Sequence, residues 1–127
     1  MKIERSTIDP IDFEGLEIRD YTAEGEVSSS VAEISVPAGV RHRPAWSKRS
    51  DKYYFMLEGC LSFVLGSDAL KLAVGDCCIV PKGCRFSYCN PTREVARVLL
   101  VHTPSFDLAE EVFEDQPGRE SADSPRH

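Results

Sequence analysis

Residues 75–90, GDCCIVPKGCRFSYCN, restrict the fold more than any other part of this chain. Gly75-Asp76 turns the backbone, and residues 77–80 form a short apolar run of strand character. Pro81-Lys82-Gly83 is a corner, because proline fixes φ and glycine accepts positive φ. Residues 85–89 make a return strand, which Asn90-Pro91 ends. The stretch reads as strand, corner, strand.

The same punctuation runs along the rest of the chain. Residues 16–21 read as a first strand or edge arm, and Glu24-Gly25-Glu26 as a turn. Residues 28–36 alternate, with Val31, Glu33 and Ser35 on one face and Ala32, Ile34 and Val36 on the other, as in a half-buried strand. Pro37-Ala38-Gly39 turns the chain into a basic segment, 40–49, where Pro44 predicts a break or bulge. Residues 52–58 are apolar on both faces, so both faces need cover. Strands follow at 60–65, 69–74 and 95–102, with a hairpin loop at Gly66-Ser67-Asp68. Ser105 or Asp107 is placed to cap a short helix over 106–114. Many short strands with Gly and Pro turns predict an all-β barrel or sandwich.

The spacing of Gly75, Pro81, Gly83, Phe86 and Asn90 resembles the second conserved motif of the cupin family, with Phe86 where the family has histidine. Gly39 and Gly59 resemble the ends of the first motif. Counted back from Gly59, Lys52 falls at the family's glutamate position. Trp46 and Lys48, or Ala45 and Ser47, fall at its two histidine positions. The resemblance covers roughly residues 30–104. It implies a double-stranded β-helix, the jelly-roll cupin barrel. The expected domain spans residues 1–115, with an N-terminal arm or strand and a short C-terminal helix. Residues 116–127, polar and rich in turn formers, are expected to be a disordered tail.

None of the four ligand positions carries a metal-binding side chain, so no metal and no cofactor is expected there. A displaced site built from His42, Asp51 and a cysteine needs a one-residue slip that turns Asp51 inward. The five cysteines, Cys60, Cys77, Cys78, Cys84 and Cys89, include no C-x-x-C pair and read as free thiols. Zinc held by Cys84, Cys89 and a third group is the competing reading.

Alternation along the strands puts His42, Trp46, Lys48, Lys52, Tyr54, Phe86 and Tyr88 in one pocket, provided no bulge intervenes. Two of them are catalytic candidates. Lys52 in an apolar pocket has a lowered pKa and suits a base or an anion anchor; alternatively it belongs to the solvated run 48–52 and pairs with Asp51 or Glu58. His42 becomes a general base if Asp51 or Tyr54 partners it; otherwise it is an ordinary strand histidine between Arg41 and Arg43. His102 reads as structural. Trp46 reads either as a stacking surface for a flat ligand at the barrel mouth or as core filler. Tyr53 and Phe55, on the opposite face, fit a homodimer interface.

A net charge of -6 argues against nucleic-acid partners. No apolar run reaches membrane-spanning length and no secretory signal is visible, so a cytoplasmic location is expected. The favoured reading is a metal-free barrel holding a small anionic or planar molecule. Competing readings are a metal-free isomerase, epimerase or lyase using Lys52 or His42, a dioxygenase-like metal cupin with rearranged ligands, and a barrel filled solid by its own side chains.

Overall fold

The computed structural model describes residues 1–114. The described chain forms eleven strands in two antiparallel sheets. They are β1 (Ile11–Phe13), β2 (Leu16–Asp20), β3 (Ser30–Val36), β4 (Arg41–Ser47), β5 (Asp51–Glu58), β6 (Leu61–Leu65), β7 (Asp68–Leu72), β8 (Cys77–Val80), β9 (Phe86–Cys89), β10 (Ala96–Thr103) and β11 (Glu111–Phe113). One sheet runs β1-β2-β3-β10-β5-β8, and the other β11-β4-β9-β6-β7. Among the described residues no helix is long and apolar enough to cross a membrane.

The two sheets share one core. Ile34, Val36, Tyr54, Met56, Val98 and Leu100 point inward from the first, and Ala45, Leu61, Phe63, Phe86 and Tyr88 from the second. Each set follows the period of two that the pleat imposes. The expected phase of β3 holds, with Ala32, Ile34 and Val36 buried on the core side. Glu33 on the other face is buried too, under Arg5 and Arg97.

The turns fall at the glycine and proline punctuation. Gly59, at φ +76, links β5 to β6, and an added Cβ there would sit 3.1 Å from the Ala96 Cα. Asn90 ends β9 in full burial. Its Nδ2 donates to the carbonyls of Val36 and Glu94, at 2.9 and 2.6 Å, and its Oδ1 accepts from the Thr92 amide and hydroxyl. Asn90→Ala is expected to cost about 2–3 kcal/mol, because it leaves several buried backbone groups unpaired. Urea unfolding checks this; a loss under about 1 kcal/mol would show that water replaces the side chain.

The expected helix over 106–114 does not form. Only Leu108–Glu110 takes a single 3-10 turn, whose first free amide is accepted by the Asp107 side chain. The chain then extends as β11 and pairs with β4, Glu111 opposite Ser47 and Phe113 opposite Ala45. Pairing satisfies the free edge of β4 and packs Phe113, half-buried, against the core. The predicted tail lies outside the described residues.

Candidate functional site

A cavity of about 280 Å³ opens between the sheets. Most of its polar groups come from five strands: His42 on β4, Lys52 and Tyr54 on β5, Tyr88 on β9, His102 on β10 and Glu111 on β11. The N-terminal hairpin contributes apolar wall through Ile11 and Phe13, and the segment before β11 contributes Phe106 and Leu108. Asp20 and Ser30 add polar groups from β2 and β3.

The register of β4 decides which predicted residues reach this cavity. A bulge lies between His42 and Ala45, where His42 faces Tyr88 and Ala45 faces Phe86 on β9. The extra residue falls at Arg43-Pro44, because proline cannot donate to the ladder. Beyond it the phase flips. Ala45 and Ser47 turn inward, at 0% and 2% exposure, and Trp46 and Lys48 go to the other face. This corrects the expected pocket: Trp46 and Lys48 do not line the cavity. Phe86 lies beneath it instead, with its ring 5.5 Å from the Lys52 Nζ. His42, Lys52, Tyr54 and Tyr88 do come together.

His42 sits among rings. Phe86 and Tyr88 lie 5.1 Å from it, Phe13 5.9 Å and Phe113 6.0 Å. Its Nδ1 is 2.6 Å from the Arg43 carbonyl oxygen. A carbonyl only accepts, so Nδ1 carries the proton and Nε2 keeps a lone pair. Burial lowers the imidazole to about 4, against the Arg43 hydrogen bond and helped by the positive charges of Lys52 and Arg43. His42 is therefore a neutral imidazole at pH 7.

Lys52 is not part of a solvated run. Its side chain is 5% exposed and pairs with Glu111, Nζ to Oε1 at 2.6 Å. The His102 Nε2 lies 2.9 Å from the same Nζ and accepts from it. Burial lowers the Lys52 ammonium, while the charge and hydrogen bond of Glu111 hold it up. Burial, then the Lys52 charge, lowers His102 to about 3, so this imidazole is neutral as well. Burial also raises both phenols, Tyr54 and Tyr88, and keeps them protonated. Two buried atoms of the cavity wall have no partner among the described residues, the Tyr88 Oη and the Glu111 Oε2.

His102 and Glu111 escape the sequence reading. His102 sits at a strand end, where a packed ring is the simpler expectation. Glu111 falls in the segment assigned to a helix; the β-forming pair Val112-Phe113 beside it is the signal that points to a strand.

The side chains do not suit a cupin metal. The Lys52 ammonium lies between His102 and Glu111, the two groups that would otherwise serve as donors, and it repels a second cation. Asp51 does not turn inward; its Oδ1 accepts from the Lys82 amide at 2.8 Å. All five cysteines are free thiols. Among the described residues no three His, Cys, Asp or Glu side chains converge as a metal site.

Arg43 fastens two segments over the cavity. Its Nη2 donates to Glu14 in the β1–β2 turn at 2.7 Å, and its Nη1 to the Glu114 carbonyl at 3.2 Å. The guanidinium lies over the Phe113 ring at 5.4 Å.

No protein-family model matches the sequence, and no curated protein sequence matches it. Solved structures do match. The structure of Pac13, called a unique nucleoside dehydratase, superposes with a TM-score of 0.79 at 22% identity, over 98% of this chain and 98% of that one. A histidine-to-glutamine variant of Streptomyces Pac13, solved with uridine, gives 0.78 at 22% identity, over 98% and 97%. Tyrosine-to-phenylalanine variants of it with uridine match as well. A predicted oxalate decarboxylase of Thermotoga maritima gives 0.76 at 18% identity, over 82% of this chain and 99% of that one. The Schizosaccharomyces pombe Cnp3 cupin domain gives 0.69 at 19% identity, over 78% and 70%. At these identities the likeness is one of fold, and the chain has the cupin fold.

Proposed function

We propose that the chain is a lyase-type enzyme that binds a small polar molecule inside a jelly-roll barrel and transfers protons with its own side chains. One observation carries this reading: the neutral His42, with its free Nε2 lone pair, shares a cavity with the unpartnered, protonated Tyr88 Oη. A base and an acid side by side on one wall of the cavity suit the removal of water from a substrate. His42 accepts the proton from carbon, the electron pair forms the double bond, and the carbon–oxygen bond breaks. Tyr88 protonates the leaving hydroxyl as water and regains its proton from His42. A weak base such as His42 can take only a C–H acidified by a neighbouring carbonyl, so the substrate is a β-hydroxy carbonyl compound. Lys52 has one N–H left after His102 and Glu111, which suits the oxygen where negative charge develops.

The similarity to a nucleoside dehydratase solved with uridine makes a nucleoside the first ligand to try. Uridine is expected to bind the wild-type protein, as measured by calorimetry. His42→Gln is expected to keep that binding and to slow elimination from a β-hydroxy carbonyl nucleoside by at least about a hundredfold. Equal rates for His42→Gln and wild type would remove His42 as the base. Binding with no elimination in either protein would leave a binding barrel rather than an enzyme.

A further inference from the structure

The positive charge in the cavity is already answered. Lys52 has three N–H bonds, and two of them go to the His102 Nε2 and the Glu111 Oε1. His42 donates from Nδ1 to a carbonyl and His102 accepts from an ammonium, so neither ring supplies a cation. Against the single lysine stand two carboxylates. The Glu111 side chain is 2% exposed and its Oε2 has no partner among the described residues. Asp20 lines the cavity from β2; its Oδ1 is taken by the amide and hydroxyl of Thr22, at 2.9 and 3.1 Å. The lining thus holds one formal positive charge and two negative ones. An anion entering this space loses its water beside two carboxylates, and the single N–H that Lys52 has left does not offset both. A ligand N–H or O–H, in contrast, is drawn toward the negative charge of Glu111, whose Oε2 has no partner among the described residues.

We infer that Glu111 and Asp20 make the cavity selective for uncharged ligands bearing hydrogen-bond donors, so that it rejects carboxylates and phosphates of the same shape. This rests on the reading of the cavity as a ligand site, but not on the nucleoside or on the reaction. It reverses the expectation of an anionic ligand held by lysines, because Lys48 lies outside the cavity and Lys52 is paired within it.

The test uses probes that differ only in charge. Benzamide and benzoate have nearly the same shape, and the ring resonances of His42 and His102 report on occupancy by NMR. Benzamide is expected to shift both, and benzoate to bind at least about tenfold more weakly. Uridine and uridine 5′-monophosphate form a second pair with the same expected order. Glu111→Gln is expected to narrow both gaps; Asp20→Asn, which leaves the buried ion pair intact, does the same if Glu111→Gln fails to fold. Benzoate binding as tightly as benzamide overturns the inference. Benzamide binding without uridine leaves the inference standing and removes the nucleoside. If neither benzamide nor uridine binds, the cavity is no ligand site and both readings fall.

Discussion

Replacing Lys52 by methionine is expected to lower the unfolding free energy by about 3–5 kcal/mol at pH 7. Methionine keeps much of the side-chain volume but removes the ammonium. The Glu111 carboxylate is then left almost wholly buried, with neither oxygen partnered, and the His102 Nε2 loses its donor. Breaking a buried pair from one side strands the other charge, and that desolvation term exceeds the attraction lost. The double variant Lys52→Met, Glu111→Leu removes both charges. It is expected to recover most of the loss, so the two changes are strongly non-additive. Urea unfolding of the four proteins measures the cycle. A single variant within about 1 kcal/mol of wild type would show that water reaches Glu111 and that the pair is not sealed.

The second large effect is on pH. His42 and His102 are held neutral in the folded protein, at about 4 and about 3, against 6.5 for an unperturbed imidazole. Below pH 6.5 the unfolded chain takes up protons that the folded chain refuses. Stability is therefore greatest above pH 6.5, and it falls as the pH drops toward about 3. At pH 5 each histidine is expected to cost about 2 kcal/mol, and the two together about 4 kcal/mol relative to pH 7.5. Glu33 acts in the same sense at lower pH. The hydrogen bond from Arg5 leads in lowering it to about 2, so its contribution is full above pH 4.5 and is lost as the pH falls toward about 2. It does not enter the window from pH 5 to 6.5. Urea midpoints across that window are expected to give a slope of about two protons, and His102→Gln is expected to halve it. A flat profile would mean that both rings are freely solvated in the folded state, and stability rising toward pH 5 would mean that they are protonated there.

The frame of this protein is written plainly in its sequence. Gly59, the Pro81-Lys82-Gly83 corner and Asn90 each need a particular backbone geometry or hydrogen-bond set, so they announce themselves by residue type. The alternation of residues 28–36 likewise fixes which face turns inward, whereas residues 52–58, apolar on both faces, do not. The candidate site is less legible because it depends on register and on long-range pairing. Pro44 signals a break, but not whether the extra residue falls before or after Trp46. That one residue decides whether Trp46 and Lys48 face the cavity or solvent. Glu111 reaches Lys52 only because β11 pairs with β4, and Val112-Phe113 signal a strand there without naming the sheet edge it joins. His102 acquires its role from the Lys52 ammonium that the β5–β10 register sets opposite it.

The clasp made by Arg43 has a consequence for how such a site can change. The strands in the middle of the chain hold the core, whereas Ile11, Phe13, Glu111 and Phe113 arrive from the β1–β2 hairpin and from the last described strand. Both of these segments lie at sheet edges, joined across the opening through one guanidinium. Substitutions there alter the shape and charge of the chamber while the packing of Met56, Leu61 and Val98 stays as it is. The scaffold and the cavity lining can therefore drift at different rates, and the chamber can be reshaped without a round of core redesign.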